Sequence, residues 1–168
     1  MELIKICIAM KPGTFTQLYE QLVFAVKHRE CLLNQSRRKL IYAYIGGILN
    51  NLGHKTLIVN GYSDHVHIFY SRNPSVSTSD TVSAIKKSSS YYINEQKWFP
   101  GRFQWQDGYG AFSYSRSQID DVYRYIADQE SHHSSKRFRE EYLEMLERSG
   151  IIYEERFLFE FFDDVHLQ

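Results

Sequence analysis

Two histidines that stand one residue apart are the first feature of this sequence that could do chemistry. They are His65 and His67, within the segment Asp64-His65-Val66-His67-Ile68-Phe69. Successive side chains of a strand alternate between its faces, so both imidazoles should share one face while Val66 and Ile68 point into the core. Imidazole is a common metal ligand, but such a pair also occurs on the polar face of an ordinary half-exposed strand. The spacing alone therefore leaves both interpretations open.

A second feature lies about sixty residues further along, in a segment with helical periodicity. At 100° per residue, Ile119, Tyr123 and Ile126 fall within about 60° of one another, which predicts a buried stripe that includes Tyr123. Tyr125 and Gln129 lie about 40° apart on a flank of the same helix. A phenol is a potential nucleophile and an amide oxygen a potential metal ligand, so these two side chains and the histidine pair could form a catalytic metal site with open positions.

The elements that must position these residues follow from periodicity and turn signals. Apolar residues at both odd- and even-numbered positions predict a largely buried first strand within 15–27. Residues 55–60 and 66–71 are predicted to form a hairpin. A first helix is predicted from Leu40 to Leu52, after a basic turn at 36–39. The other predicted elements are a second helix opened by residues 75–81 and ending near Gln96, a short strand at 111–114, a third helix from Ser117 to about His133, and a last helix at 137–148.

The resulting order, β-α-β-β-α-β-α-α, predicts an α+β fold of the ferredoxin-like or RNA-recognition-like type. Such a fold is an antiparallel sheet with helices on one face, here with a C-terminal helical extension. We expect one domain over residues 1–168, in which 1–13 form a candidate N-terminal extension and 137–168 form the C-terminal helix and an acidic tail.

Charge must be considered by region. The whole chain has 20 Lys+Arg and 20 Asp+Glu, and such a balance by itself argues against a nucleic-acid partner. Residues 1–139, however, hold 18 basic and 11 acidic side chains, a net +7, and residues 140–168 hold 2 and 9, a net −7. A basic body with an acidic tail is compatible with DNA binding, and we expect the tail to pack away from the DNA face or to screen it weakly.

Composition also bounds the compartment. The two cysteines, Cys7 and Cys31, form no C-x-x-C motif, which argues against a disulfide framework and a thiolate zinc site. The most apolar stretch, residues 40–49, is too short to span a membrane, and residues 1–10 do not resemble a secretory signal. We therefore expect a cytoplasmic protein with no membrane partner.

Several segments together resemble a known family. His65-Val66-His67 resembles the histidine-hydrophobe-histidine signature of the HUH endonucleases, and residues 125–129 (YIADQ) resemble the Tyr-x-x-x-Gln helix of their single-tyrosine transposases. Residues 105–115 (WQDGYGAFSYS) are similar to the family's W-Q-x-G-Y-G-A-F-S block, and Leu52-Gly53-His54 and His132-His133 also match its pattern. The resemblance is to transposases of the IS-two-hundred type, close relatives of the REP-associated tyrosine transposases, and it runs from about Thr14 to Phe161.

The resemblance implies a specific activity. It implies metal-dependent cleavage and rejoining of single-stranded DNA, with Tyr125 as the nucleophile that forms a 5'-phosphotyrosine. The implied ligands of a divalent Mg²⁺ or Mn²⁺ are His65, His67 and Gln129. The implied partners are single-stranded DNA with a hairpin at the element ends and a second copy of the chain in a homodimer, without a small-molecule cofactor. A cytoplasmic, nucleoid-associated location would follow.

Candidate DNA contacts and two alternative functions stay open at this point. Basic side chains could bind phosphates and aromatic ones could stack on bases, although solvated surface and core packing explain the same residue types. The candidates are Arg37, Arg38, Lys39, Lys86, Lys87, Trp105 and Tyr109. One alternative is a domesticated HUH nuclease that processes chromosomal hairpins. The other is a non-catalytic single-strand nucleic-acid-binding module, against which the chain lacks the aromatic RNA-recognition motif.

Overall fold

Four antiparallel strands form the central sheet. The computed structural model describes residues 12–162, so most of the predicted N-terminal extension lies outside the described residues. The strands are β1 (Tyr19–Ala25), β2 (Lys55–Gly61), β3 (His65–Ser71) and β4 (Gly110–Tyr114), in the spatial order β2-β3-β1-β4. This is the ferredoxin-like arrangement, so the predicted fold class is confirmed.

Two long helices cover the face of the sheet that carries Leu22, Phe24, Val66 and Ile68. They are α1 (Gln35–Asn51) and α2 (Thr78–Glu95), which pack buried side chains such as Ile45 onto that face. No helix among residues 12–162 is long and apolar enough to cross a membrane.

The start of α1 differs from the prediction. The Asn34 side chain accepts a hydrogen bond from the backbone N–H of Arg37, so the helix begins at Gln35 and not after residue 39. The basic segment predicted as a turn is therefore the first turn of α1. An asparagine cap in front of polar residues is easily missed when a helix is read from its apolar stripe alone.

The predicted C-terminal extension lies across the other face of the sheet. It consists of α3 (Ile119–Ala127), α4 (Gln129–His133) and α5 (Phe138–Arg148). Val122 and Ile126 of α3 pack on Phe69, which follows His67 on the same face of β3. Alternation along β3 therefore directs the histidine pair into the space beneath these three helices.

The third helix begins and ends differently from the prediction. A 3₁₀ turn (Arg116–Gln118) precedes it, with a capping box between Ser115 and Gln118, so the α-helix begins at Ile119 and not at Ser117. The helix is also broken at Asp128, which separates α3 from α4.

The prediction that Tyr123 belongs to the core is wrong. Its side chain is 45% exposed, whereas Tyr125 is partly buried. Val122 and Ile126 define the buried side of α3. Tyr123 follows Val122 directly, so its side chain points about 100° away from that of Val122 around the helix axis. The predicted stripe extended from Ile126 toward Tyr123, whereas the buried side extends from Ile126 toward Val122.

Gly61 is required where β2 turns toward β3. A Cβ at this position would lie 2.3 Å from the carbonyl oxygen of His65 and 2.9 Å from Cα of Val66. Because both obstacles are backbone, we expect Gly61→Ala to lower the free energy of unfolding by about 3 kcal/mol, the upper end for overpacking. Urea unfolding measures this. The control is Gly47→Ala in α1, where a Cβ meets nothing within 4 Å and helix propensity predicts a gain of up to about 1 kcal/mol; equal effects of the two substitutions would contradict this account.

Candidate active site

The two histidines lie side by side on β3, fully buried. As the alternation predicts, His65 and His67 pair with Ala25 and Val23 of β1 and share one face of the sheet. Their ring centroids are 5.1 Å apart, with the ring planes at 84°. Phe138 of α5 stacks on the His65 ring at 3.9 Å, which fixes its orientation.

Each imidazole has a polar partner behind it. Nδ1 of His65 lies 2.7 Å from Oδ1 of Asp64, and because an ionised carboxylate only accepts, Nδ1 carries the proton. Nδ1 of His67 lies 2.8 Å from the side-chain amide of Gln21, whose oxygen accepts from the Tyr114 hydroxyl at 2.7 Å. The Tyr114 hydroxyl can also accept a hydrogen bond, so the Gln21 amide can be rotated by 180°. Its oxygen then accepts from Nδ1–H of His67 and its NH₂ group donates to Tyr114, which leaves Nε2 of His67 with a free lone pair. Both Nε2 atoms therefore face the space beneath the helices.

A buried carboxylate occupies that space. Glu141 of α5 is 2% exposed. Its Oε1 lies 3.3 Å from Nε2 of His67, and its Oε2 lies 3.4 Å from Nε2 of His65 and 3.0 Å from Nε2 of His133. Burial alone would raise the pKa of Glu141, but His67, His133 and His65 together hold it below its usual range. The site is an ionised carboxylate surrounded by three imidazoles.

The same electrostatics act on the two strand histidines. Burial alone would lower the pKa of His65, but Asp64 and Glu141 raise it to about 9. For His67, burial outweighs the attraction of Glu141, and its pKa is lowered. The pKa values of the two neighbouring imidazoles are therefore shifted in opposite directions.

Tyr125 and Gln129 reach the same carboxylate from the neighbouring helices. The Tyr125 hydroxyl donates a hydrogen bond to Oε1 of Glu141, and the Tyr125 and His67 ring centroids are 6.1 Å apart. Nε2 of Gln129 also donates to Oε1 of Glu141, at 2.8 Å. Burial, followed by the Glu141 charge, raises the pKa of Tyr125, which keeps the phenol neutral. The structure thus brings the four residues singled out in the sequence together around Glu141, which was not among them. The four are His65, His67, Tyr125 and Gln129.

The break after α3 is what turns Gln129 inward. Nδ2 of Asn60 on β2 donates to the carbonyl oxygens of Ile126 and Ala127, at 2.8 and 3.1 Å, and so satisfies the end of α3. The chain then restarts at Gln129, whose oxygen lies 3.2 Å from Nε2 of His65. His133 follows one turn later, with Nδ1 2.9 Å from the carbonyl oxygen of Lys136.

The donor set suits a divalent cation. One atom each from His65, His67 and Glu141 lie within 4.8 Å of one another. Nε2 of His67 is buried without a hydrogen-bond partner, and Oε2 of Glu141 has only its ion-pair contacts with the imidazoles; such atoms in a folded interior usually indicate an ion or a water. Imidazole nitrogens with a carboxylate oxygen are ligands that Mn²⁺ and related metals accept, and open positions can take phosphate oxygens.

An open cavity gives access to this cluster. It measures about 840 Å³, within the usual range for ligand sites, and its lining includes Tyr125 and Glu141. Gln21 lies at its sheet side, and Lys136 and Arg148 lie in the wall, where both pair with Glu144. A phosphate diester could therefore approach the Tyr125 hydroxyl from solvent.

The candidate DNA contacts occupy different environments. Trp105 is 6% exposed and donates to Oγ of Ser89, so its indole is part of the core. Arg38 is 8% exposed and paired with Glu130 at 2.9 Å. The Arg37 guanidinium lies over the Trp98 and Phe99 rings, Lys39 and Lys87 are exposed, and Tyr109 is 39% exposed.

Lys86 and Lys87 form a matched pair with different environments. The Lys86 ammonium donates to the carbonyl oxygens of Gln106 and Gly108, and burial lowers its pKa to about 8. We expect Lys86→Met to lower the free energy of unfolding by about 1–2 kcal/mol, because it leaves those two carbonyls unpaired, and Lys87→Met to change it by less than about 0.5 kcal/mol. Thermal unfolding of both variants measures the difference, and a Lys86→Met protein as stable as the parent would show that the contact is not stabilising.

Comparison with known proteins agrees with this geometry. Residues 14–129, more than half of the chain, match the family model described as "Transposase IS200 like". The chain belongs to the IS200-like transposase family. The matched segment contains His65, His67, Tyr125 and Gln129, and ends before α5 and Glu141.

Solved structures show the same fold at low sequence identity. A candidate transposase from Deinococcus radiodurans R1 aligns with a TM-score of 0.56 and 20% identity, over 71% of this chain and 96% of that one. A REP-associated tyrosine transposase bound to a REP hairpin aligns with a TM-score of 0.54 and 12% identity, over 74% of each chain. No curated protein matches the sequence.

Proposed function

We propose that this IS200-like transposase is a metal-dependent enzyme that cleaves and rejoins single-stranded DNA through a 5'-phosphotyrosine on Tyr125. One observation carries the proposal. The Tyr125 hydroxyl and the Nε2 atoms of His65 and His67 converge on one carboxylate beside an open cavity. A nucleophile, metal-binding imidazoles and room for a phosphate are the parts that a phosphodiester transfer requires.

The nucleophile must first lose its proton. A free phenol has a pKa near 10, so about one molecule in 10³ is ionised at pH 7, a handicap of roughly 4 kcal/mol. In this site burial and Glu141 raise the pKa of Tyr125 further, so activation must accompany substrate and cation binding. In the reaction Tyr125 Oη forms a bond to phosphorus, the bond from phosphorus to the 3' oxygen breaks, and the proton lost by the phenol is balanced by one gained by the 3' hydroxyl.

The residues behind the histidines prepare them for a cation. His65, His67 and Gln129 are the ligands expected from the sequence, with Mg²⁺ or Mn²⁺ as the ion. When bound, the ion would neutralise charge on the scissile phosphate and ease departure of the 3' oxygen. Asp64 keeps the proton of His65 on Nδ1, so that Nε2 faces the site. Phe138 stacks on His65 and excludes water from that side of the ring.

The proposed substrate is single-stranded DNA that carries a hairpin, and the proposed assembly is a homodimer. The DNA hairpin in the related-fold structure supports this class of substrate, as does the net positive charge of residues 1–139. A mobile-element transposase and a domesticated nuclease that processes chromosomal hairpins would use the same residues, so both remain within the proposal. They differ in whether cleaved ends are rejoined to a new strand.

The test uses the full chain and oligonucleotides from its own flanking DNA. Single strands with and without the hairpin, and the matching duplex, are incubated with Mn²⁺ or Mg²⁺ and examined for an SDS-resistant protein–DNA adduct. We expect an adduct with the hairpin strand, none with the duplex, and a rejoined product when a second 3'-OH strand is added. A chain that binds the hairpin but never forms an adduct would support the non-catalytic binding module instead.

A further inference from the structure

We propose that Glu141 of α5 is the third protein ligand of the metal, in place of Gln129. This inference rests on the proposed function, because it concerns the same ion. It assigns a site residue from a helix that lies beyond the segment matched by the family model.

The distances favour a shared ion over hydrogen bonds. The Glu141 oxygens lie 3.3 Å from Nε2 of His67 and 3.4 Å from Nε2 of His65. These separations exceed the usual N–H···O range of about 2.7–3.2 Å. Two donor atoms each about 2.1 Å from one ion, at angles of about 90–110°, are about 3.0–3.4 Å apart. Each carboxylate oxygen therefore lies at a co-ligand distance from one histidine of the pair, Oε1 from His67 and Oε2 from His65.

Gln129 contacts only one histidine of the pair. Its oxygen lies 3.2 Å from Nε2 of His65 and 3.1 Å from Nε2 of His133, while its NH₂ group donates to Glu141. The carboxylate, by contrast, spans His65 and His67. The geometry gives Gln129 the role of a positioning residue that holds the Glu141 carboxylate in place.

Charge balance points the same way. Two imidazoles and an amide would give a buried divalent cation no negatively charged ligand. A carboxylate supplies one negative charge, and hard cations such as Mg²⁺ and Mn²⁺ prefer anionic oxygen. Glu141 is also the one acidic residue among the described residues whose side chain lies between the two imidazoles.

Metal affinity measured without DNA tests the assignment. Mn²⁺ is titrated into the chelator-treated full chain, and free Mn²⁺ is followed by electron paramagnetic resonance. We expect Glu141→Gln to weaken Mn²⁺ binding by at least about 10–100-fold, and Gln129→Ala to weaken it less. Glu147→Gln, an exposed position on the same helix, should bind as the parent does. Parental affinity in a folded Glu141→Gln protein would overturn the assignment.

A crystal soaked in Mn²⁺ keeps the proposal testable if the variant does not fold. An anomalous peak bonded to His65, His67 and a Glu141 oxygen would support it, and a peak bonded to Gln129 without Glu141 would overturn it while leaving metal dependence intact. If the parent chain binds no divalent ion in either measurement, the metal-dependent function itself fails, and the ligand assignment fails with it.

Discussion

Replacing Tyr125 with phenylalanine should abolish the covalent protein–DNA adduct. The change removes only the hydroxyl that donates to Glu141, so the partly buried ring keeps its contacts and the free energy of unfolding should change by no more than about 1 kcal/mol. Without the oxygen nucleophile no phosphotyrosine can form, and strand cleavage should fall by at least about 10⁴-fold. Denaturing gels with labelled oligonucleotide measure the adduct, and circular dichroism confirms the fold.

Tyr123 provides the matched control for that substitution. It lies two residues earlier on α3 and is 45% exposed, outside the cavity that Tyr125 lines. Tyr123→Phe should therefore cleave DNA as the parent does. Loss of the adduct in this variant, with the adduct retained in Tyr125→Phe, would reassign the nucleophile.

His67→Ala should have an effect of similar size, through the cation. The substitution deletes one of the three imidazoles around Glu141, and with it one of the two strand histidines that would hold the cation. We expect loss of Mn²⁺ binding in the micromolar range and a fall in cleavage of at least about 10³-fold, because charge on the phosphate is no longer neutralised. Calorimetric titration and the adduct assay measure the two quantities.

Two controls accompany the histidine variant. His28→Ala changes a histidine outside β3 and away from the cavity that contains Tyr125, and it should keep both properties. Chelation of the parent should reproduce the His67→Ala phenotype, and added Mn²⁺ should reverse it. Full cleavage by His67→Ala in the presence of a chelator would rule out a metal role for this pair.

The fold could be derived from the sequence because its elements have strong local signals. Alternation places His65 and His67 on one face of β3, and the helical stripes identify α1 and α2. The break at Asp128 has no such local signal. It depends on hydrogen bonds that Asn60 of β2 donates to the carbonyl oxygens of Ile126 and Ala127 at the end of α3. Wheel geometry therefore placed Tyr125 and Gln129 near each other, and both side chains contact Glu141, although the helix that it assumed is not continuous.

Glu141 was missed for a different reason. It lies beyond the Tyr-x-x-x-Gln motif, in the region 140–168, whose net charge of −7 was interpreted only as that of a tail that packs away from the DNA face or screens it weakly. A signal did exist, since Phe138 and Tyr142 define the buried side of α5 and Glu141 falls about 60° from Phe138 on the wheel. An acidic residue inside an apolar stripe is costly to bury unless it has cationic neighbours, and those neighbours come from β3 and α4.

The acidic C-terminal region also packs more closely than the sequence suggested. Phe159 is 9% exposed and lies 4.9 Å from Tyr142, ring to ring, while Gln106 exchanges two hydrogen bonds with the backbone of Glu160. Residues 163–168, the end of the predicted tail, lie outside the described residues. Up to residue 162 the segment helps to hold α5, and with it Glu141, against the sheet.

Mass spectrometry of the protein–DNA adduct tests the central claim most directly. Trypsin cuts after Arg116, Arg124 and Lys136, so Tyr123 and Tyr125 fall in different peptides. The account predicts that, after nuclease digestion of the DNA, a nucleotide remnant remains on the peptide 125–136 and that fragmentation places it on Tyr125. The remnant should be absent when metal is withheld. A remnant on any other residue, or an adduct that forms without a divalent cation, would contradict the account.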